Sequence, residues 1–327
     1  MPHELRLGTR GSQLALWQAH AVQARLAAAG APPCRIVVIK TSGDRLQEAP
    51  LSDVGGKRLF VKELEDALLR EEIDLAVHSS KDMPVILPDG LAIGAVLPRE
   101  DPLDAVVLPR RAEPSALITI DALVSALCQS PSIGTGSVRR VAQLTRVLPG
   151  ARFSPIRGNL DTRLRKLDEG QHDALVLSAA GLRRLGFTSR ITFTLPAAVC
   201  VPAAGQGIVA IEIRAGDEPV RSAVARIDDA DAAVALAAER AVVEALGGGC
   251  QTPVGALATP GARGALDIVA VVAALDGHEA VHGQIAGPRE SAAELGRRLG
   301  AQLIADGAAN ILAEVRRRQG PVAGIQP

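Results

Sequence analysis

Tyrosine is absent from this chain of 327 residues, and aromatic residues as a whole make up only 2% of it. That scarcity disfavours surfaces that stack nucleic-acid bases on rings. Net charge is missing too. Lys+Arg and Asp+Glu number 36 each, which argues against a broadly basic nucleic-acid binder, though not against a local basic cleft. Lysine is scarce within the basic set, with five residues at 40, 57, 62, 81 and 166; the rest is arginine, suited to gripping carboxylates with two parallel hydrogen bonds. The four cysteines at 34, 128, 200 and 250 form no C-x-x-C, so neither a thioredoxin-like redox pair nor a zinc ribbon is available. The six histidines form no H-E-x-x-H; His278 and His282 are a weak metal motif, read here as solvated hairpin positions beside Gly283, and no metal is expected. No apolar run approaches the ~18 residues of a membrane span, and the opening Met1-Pro2-His3-Glu4-Leu5-Arg6 lacks the apolar centre of a signal peptide. The expectation is a soluble, cytoplasmic, reduced protein.

What is there is globular, with 47% hydrophobic and 22% charged residues. At about 150 residues per domain, the length suits two domains and admits a third. Short apolar runs alternate with amphipathic segments through the first two thirds, the pattern of α/β layers. Ser12 is placed to cap a helix with apolar positions Leu14, Trp17, Ala21 and Leu26 and a stop at Gly30. Strands are expected at Arg35–Lys40, Ile73–Val77, Leu91–Leu97, Asp104–Leu108, Ser132–Gly134, Phe153–Ile156, Ala174–Leu177 and Ile208–Ile213. Helices are expected through Phe60–Leu68, Val138–Leu148 and Leu160–Leu167. Two proline-bearing crossings, Arg99–Leu103 and Cys200–Gln206, imply two α/β lobes joined by a double hinge if the strand after the second returns to the first sheet. After a helix from about Asp231 to Leu246, the tail reads as a small α+β domain.

Several motifs suit an anion. Gly134-Thr135-Gly136-Ser137-Val138-Arg139-Arg140 follows a strand and opens a helix, so exposed amides, a hydroxyl and two guanidiniums converge. It is neither a P-loop nor a full G-x-G-x-x-G, and a capped helix with surface arginines explains the segment equally well. Arginines recur at other strand-to-helix junctions: Arg10 before Ser12, Arg157 before Arg163 and Arg165, and Arg183 with Arg184 after Ala179-Ala180-Gly181. Each alone suits a solvated face, but such junctions line the crevice of open α/β sheets. A cleft walled this way implies a polyanionic ligand, carboxylate or phosphate.

Three further segments carry chemistry. Val77-His78-Ser79-Ser80-Lys81-Asp82 comes off a buried strand, and Asp82 is either the partner of Lys81 in a simple turn or a buried carboxylate at the mouth of the cleft. Gly55-Gly56 before Lys57 suits a mobile lid. Cys250 lies between a run of three glycines and Gln251-Thr252-Pro253; a glycine-rich loop exposes the sulfur, which makes it a candidate nucleophile or attachment point. Cys34, Cys128 and Cys200 suit ordinary core positions.

In their order along the chain, these motifs resemble those of the hydroxymethylbilane synthase (porphobilinogen deaminase) family. The resemblance runs from Thr9-Arg10 to Gly248-Gly249-Cys250-Gln251. It implies a monomer of three domains: two doubly wound lobes like those of periplasmic binding proteins, residues 1–101 with 204–226 and residues 102–203, and a small α+β domain at 227–327. It implies a transferase of tetrapyrrole biosynthesis that joins four porphobilinogens head to tail with loss of ammonia and then releases the linear product by hydrolysis. The growing chain starts from a dipyrromethane cofactor held by a thioether to the cysteine matching Cys250. Asp82 matches the catalytic carboxylate. Ser79, Lys81, Ser137, Arg139, Arg140, Arg163 and Arg184 match cofactor contacts, and Arg10, Ser12, Lys57, Phe60, Arg157 and Gln206 match substrate contacts. Neither a membrane nor a nucleic acid is an expected partner.

The residue chemistry agrees with that resemblance. Each pyrrole ring bears two carboxylates, which suits arginine walls, and loss of ammonia creates a cationic azafulvene that a carboxylate stabilises. Arg58 and Gly136 depart from the family pattern, in the lid and in the amide cradle. Two other readings stay open at this point: a two-lobed solute-binding protein closing on an anion, and a cysteine-dependent transferase without a pyrrole primer.

Overall fold

The computed structural model of the chain describes residues 4–41, 61–110, 119–249 and 252–319. The first lobe is a five-stranded sheet in the order β2-β1-β3-β10-β4, made of β1 (Leu5–Thr9), β2 (Cys34–Val38), β3 (Leu75–Ser79), β4 (Leu91–Val96) and β10 (Val209–Arg214). β1 runs parallel to β2 and β3, while β10 lies antiparallel between β3 and β4. The second lobe repeats the arrangement as β7-β6-β8-β5-β9, from β5 (Asp104–Val107), β6 (Ser132–Gly134), β7 (Arg152–Ser154), β8 (Ala174–Ser178) and β9 (Phe193–Leu195). Here β5 is the antiparallel insertion, between β8 and β9. Each crossing between lobes therefore delivers its chain straight into the interior of the next sheet, β5 after the first and β10 after the second. The return of β10 to the first sheet completes the double hinge expected from the sequence.

Helices cover both faces of each sheet, the reason parallel strands can be apolar throughout. Gln13–Ala28 (α1) packs Ala19, Val22 and Leu26 on Leu7, Leu75 and Ile211, and Lys62–Leu69 (α2) packs Leu64 and Leu68 on Ile73 of the opposite face. In the second lobe Val138–Val147 (α4, after Ile120–Ala126, α3) presents Leu144 to Ile133 and Val176. Leu160–Asp168 (α5) and Ala179–Arg184 (α6) bury Leu164, Leu167 and Leu182 against Leu175 and Leu177. Glu218–Val224 (α7) completes the first lobe.

The third unit is an antiparallel sheet, β11 (Val254–Pro260), β12 (Ala265–Ala273) and β13 (Ala280–Pro288). One face carries Ala230–Ala245 (α8) and Ala292–Leu303 (α9), with Val242, Ile268 and Leu299 in the shared core. A Cβ at Gly296 would collide with the Ala238 carbonyl, so glycine is what lets these two helices touch backbone to backbone. The other face sets Leu257, Val271 and Ala273 against Ala142 and Val201 of the second lobe. A wide turn at Ile304–Ala308, with Gly307 at φ 111°, leads into Ala309–Gln319 (α10).

The structure corrects several sequence expectations. Ser12 does cap α1, accepting from the Ala15 amide at 3.3 Å, but the buried stripe is Ala15, Ala19, Val22 and Leu26 with Gln18. Leu14 is half-buried and Trp17 is 39% exposed, because that side of the helix faces the second lobe rather than its own sheet. The strands β1 and β11 are not among the expected elements. Of the three cysteines assigned to the core, only Cys200 is buried; Cys34 is half-buried and Cys128 exposed. Burial pushes the Cys34 thiol up to about 11 and that of Cys200 to about 12.

Two buried carboxylates hold the crossings. Glu239 on α8 accepts from Arg99 of the first crossing at 2.6 Å, from the Gly205 amide of the second at 2.6 Å, and from the Ala258 amide at 2.8 Å. Asp104, at the head of β5, is fully buried and accepts from Arg139 Nη1 at 2.8 Å and from Arg140 Nη2 at 2.7 Å. Despite the burial that opposes ionisation, these two guanidiniums hold its carboxyl far below the usual carboxylate range. Its contribution to stability is therefore complete above the unfolded carboxylate pKa and declines progressively as pH falls from there through the depressed folded value. Asp104→Asn leaves two buried guanidiniums without a counter-charge and is expected to cost about 3–5 kcal/mol, read as a lowered urea midpoint at neutral pH.

Candidate active site

Parallel strands end on a common edge, and the loops leaving that edge form a crevice. In the first lobe β1 ends at Thr9 and β3 at Ser79, so the segment Arg10–Leu14 and the single turn Ser80–Asp82 lie side by side. In the second lobe the loops after β7 and β8 bring up Arg157–Leu160 and Ser178–Gly181. Between them lies a cavity of about 300 Å³, walled by Arg10, Ser12, Ser79, Lys81 and Asp82 on one side and by Arg140, Arg157, Arg163 and Ser178 on the other.

Each wall residue is fixed by its local fold. Ser12 lies on the wall while its hydroxyl caps α1. Ser79 accepts from Gln18 Nε2 at 2.8 Å. Arg163 projects from the first turns of α5 and donates Nε to the Gly158 carbonyl at 2.8 Å; Gly158 adopts φ 103°, a conformation that a side chain would strain. Burial, reinforced by Arg140 and Arg157, lowers Arg163 to about 10. Lys81 donates to Gln206 Oε1 at 3.3 Å. Burial brings its ammonium down to about 8, with Asp82 opposing that shift and Arg140 reinforcing it. Asp82 itself is exposed to the cavity rather than buried, a correction to the sequence expectation, and the simple ion pair with Lys81 does not form. Among the described residues Lys81, Arg157, Arg163 and Asp82 have no ion-pair partner.

Not every expected contact reaches the cavity wall. Arg140 does, but Asp104 already occupies two of its nitrogens, and a third donates to the Val176 carbonyl at 3.0 Å. Arg139 is buried behind it, bonded to Asp104 and to the Val201 carbonyl at 2.7 Å. Ser137 caps α4 through the Arg140 amide and is off the wall, as is the glycine-rich segment before it. Gln206 is buried beneath the floor. Arg184, lowered to about 10 by burial, stacks 5.5 Å from the centre of the Trp17 ring and donates to the Gly207 carbonyl at 2.6 Å, thereby joining the two lobes. Arg165 and Arg183 pair with Glu169 and Asp101. His278 is exposed in the hairpin after β12, bonded to Asp276, and His282 is exposed on β13. Lys57, Arg58, Phe60 and Cys250 lie outside the described residues; Gly249 and Thr252, on either side of the Cys250 segment, bond to each other through the Thr252 hydroxyl at 2.6 Å.

Asp104, Gln18 and Trp17 are site-shaping residues that sequence reasoning passed over. Asp104 carried a signal: a carboxylate heading the apolar run Ala105-Val106-Val107 must find a buried cation. Gln18 and Trp17 carried none.

Comparison with known proteins now bears on the cavity. A family model described as the dipyrromethane cofactor binding domain of porphobilinogen deaminase matches residues 5–222, and one for the C-terminal domain of the same enzyme matches residues 233–305. The chain belongs to the porphobilinogen deaminase family. Porphobilinogen deaminase of Pelobacter propionicus is 45% identical over 97% of this chain and 99% of its own. That of Desulforudis audaxviator is 48% identical, again over 97% and 99%. Among solved structures, the methionine binding protein MetQ covers 71% of this chain and 93% of its own at 13% identity and a TM-score of 0.44, a likeness too distant to carry an argument.

Family membership sets aside the solute-binding alternative. The chain is a transferase of tetrapyrrole biosynthesis that acts on porphobilinogen, condenses four units with loss of ammonia and uses a dipyrromethane cofactor. The residues present fit that group. Two pyrroles carry four carboxylates, and Lys81, Arg157 and Arg163 line the cavity without an ion-pair partner among the described residues. The Lys81 ammonium is lost as pH rises through about 8, so retention of carboxylate ligands is expected to weaken above that pH. Lys81→Met is expected to remove this alkaline limb, measured as the pH dependence of porphobilinogen KM.

Proposed function

We propose that condensation takes place in this cavity, with Asp82 as its catalytic carboxylate and with Cys250 as the point of cofactor attachment. The observation that carries the reading is an acid without an ion-pair partner among the described residues, facing a wall of arginine and lysine. Carboxylate side chains of the ligand neutralise Arg10, Lys81, Arg157 and Arg163, while Ser12 and Ser79 offer hydroxyls for orientation. Asp82 then remains the negative group facing the pyrrole rings. It accepts a pyrrole N–H, counters the positive charge that develops on substrate as ammonia departs, and assists delivery of the proton to the leaving amine. Held at Cys250, a dipyrromethane would supply the free pyrrole α-carbon that takes the first unit, each later unit adding to the ring before it. Arg140 on the wall and Arg139 behind it, both fixed by Asp104, contribute positive potential. Lys57 and Phe60 complete the substrate contacts in this reading. The domains are residues 1–101 with 204–226, 102–203 and 227–327, and the chain acts as a cytoplasmic monomer. Among the described residues no helix is long and apolar enough to cross a membrane.

Asp82→Asn keeps the polar contacts and removes the charge. Turnover of porphobilinogen is expected to fall by about two to four orders of magnitude while the chain retains its dipyrromethane; near-normal turnover overturns the assignment. Cys250→Ser is expected to reduce the mass of the denatured chain by the two pyrrole units, in protein made by a host that synthesises porphobilinogen. An adduct of the same size on that variant places the attachment elsewhere.

A further inference from the structure

The second crossing holds a side chain whose four polar contacts come from both lobes and from the first crossing. Gln206 is 1% exposed. Its amide nitrogen donates to the Pro102 carbonyl at 2.7 Å, in the first crossing, and to Asp104 Oδ1 at 2.8 Å, at the head of β5. Its amide oxygen accepts from Lys81 Nζ at 3.3 Å, in the first lobe, and from Arg140 Nη2 at 3.5 Å, in the second. The orientation of the amide is unambiguous, since both partners of the nitrogen only accept and both partners of the oxygen only donate.

We propose that Gln206 is the positioning residue that holds the Lys81 ammonium at the base of the cavity and ties it to the junction of the lobes. The proposal rests on the reading of the cavity as the site of condensation. Gln206 is absent from the cavity wall, so its effect on substrate passes through Lys81. The geometry explains why a cation can sit there. The groups facing Lys81 are Asp82 on its own turn, Arg140 and Arg139 from α4, Asp104 from β5 and the Gln206 amide from the second crossing. Two of these repel the ammonium, and Asp104 is already committed to the arginines. The amide oxygen is the one hydrogen-bond acceptor that the described residues offer it. Because the same amide binds Pro102 and Asp104, a rotation at the crossings that breaks those bonds also frees Lys81. The charge offered to the ligand is thus linked to the relative placement of the lobes.

The test reads Lys81 directly. The purified full-length protein is acetylated with acetic anhydride across a pH series, and labelling of each lysine is followed by peptide mass spectrometry. Lys62 and Lys166 serve as internal references. In Gln206→Met the ammonium loses its acceptor, the charged form is disfavoured, and the labelling midpoint of Lys81 is expected about one pH unit lower, a tenfold loss of proton affinity. The reference lysines keep their midpoints. Gln206→Asn, with a shorter amide, is expected to move it in the same direction and is available should the Met variant fold poorly. A purely structural role lowers thermal stability and leaves the Lys81 midpoint where it was; that result, in either folded variant, overturns the proposal. Failure of the underlying reading is separate and shows as a denatured chain of bare sequence mass, whereas the Lys81 midpoint still decides the role of Gln206.

Discussion

The structure depends on how a carboxylate without access to water is kept charged where two lobes meet. Asp104 has no exposure, and an isolated carboxylate there would cost far more than its backbone could return. Arg139, Arg140 and Gln206 are the response, and each comes from a different stretch of chain than β5. Satisfying one buried acid thereby fixes the start of α4 and the exits of both crossings. Glu239 repeats the device one layer away, joining Arg99, Gly205 and Ala258. The two acids together bind the crossings to the third unit and to the second lobe, leaving the open cavity edge as the place where the lobes meet with few direct bonds.

That arrangement divides the cations into two populations. Arg139 and Arg140 share the single negative charge of Asp104 and act as structure, with one net positive charge left between them. Lys81, Arg157 and Arg163 face the cavity without such partners among the described residues, and burial makes Lys81 and Arg163 less basic than usual. Holding unneutralised charge in a partly desolvated crevice is unfavourable for the empty protein and favourable for a ligand carrying several carboxylates. The same crevice exposes Asp82 beside the cations.

The candidate site was legible in the sequence to the extent that chemistry resides in local motifs. Lys81 and Asp82, and Arg157, follow strands that their apolar runs identify, whereas the strand before Arg10 and Ser12 was not among those expected; strand ends of a parallel sheet share an edge. The glycine-rich segment before Arg139 opens α4, with Ser137 as its cap, and aims Arg139 and Arg140 at Asp104. Trp17 looked like part of a core stripe because helical periodicity gives the spacing of apolar residues but not which side meets the sheet; the neighbouring lobe instead supplies the Arg184 guanidinium over its ring.

Sequence by itself determined the α/β layering, the two crossings and the kinds of charge available, because alternation, prolines and side-chain chemistry act over a few residues. Tertiary structure alone decided which arginines line the cavity and which are bound by Asp104, and that Gln206 lies beneath the floor rather than on the wall. Those outcomes depend on contacts between residues up to 125 positions apart, such as Lys81 and Gln206, whose energies are set by burial and by the direction of approach, quantities that no local pattern encodes.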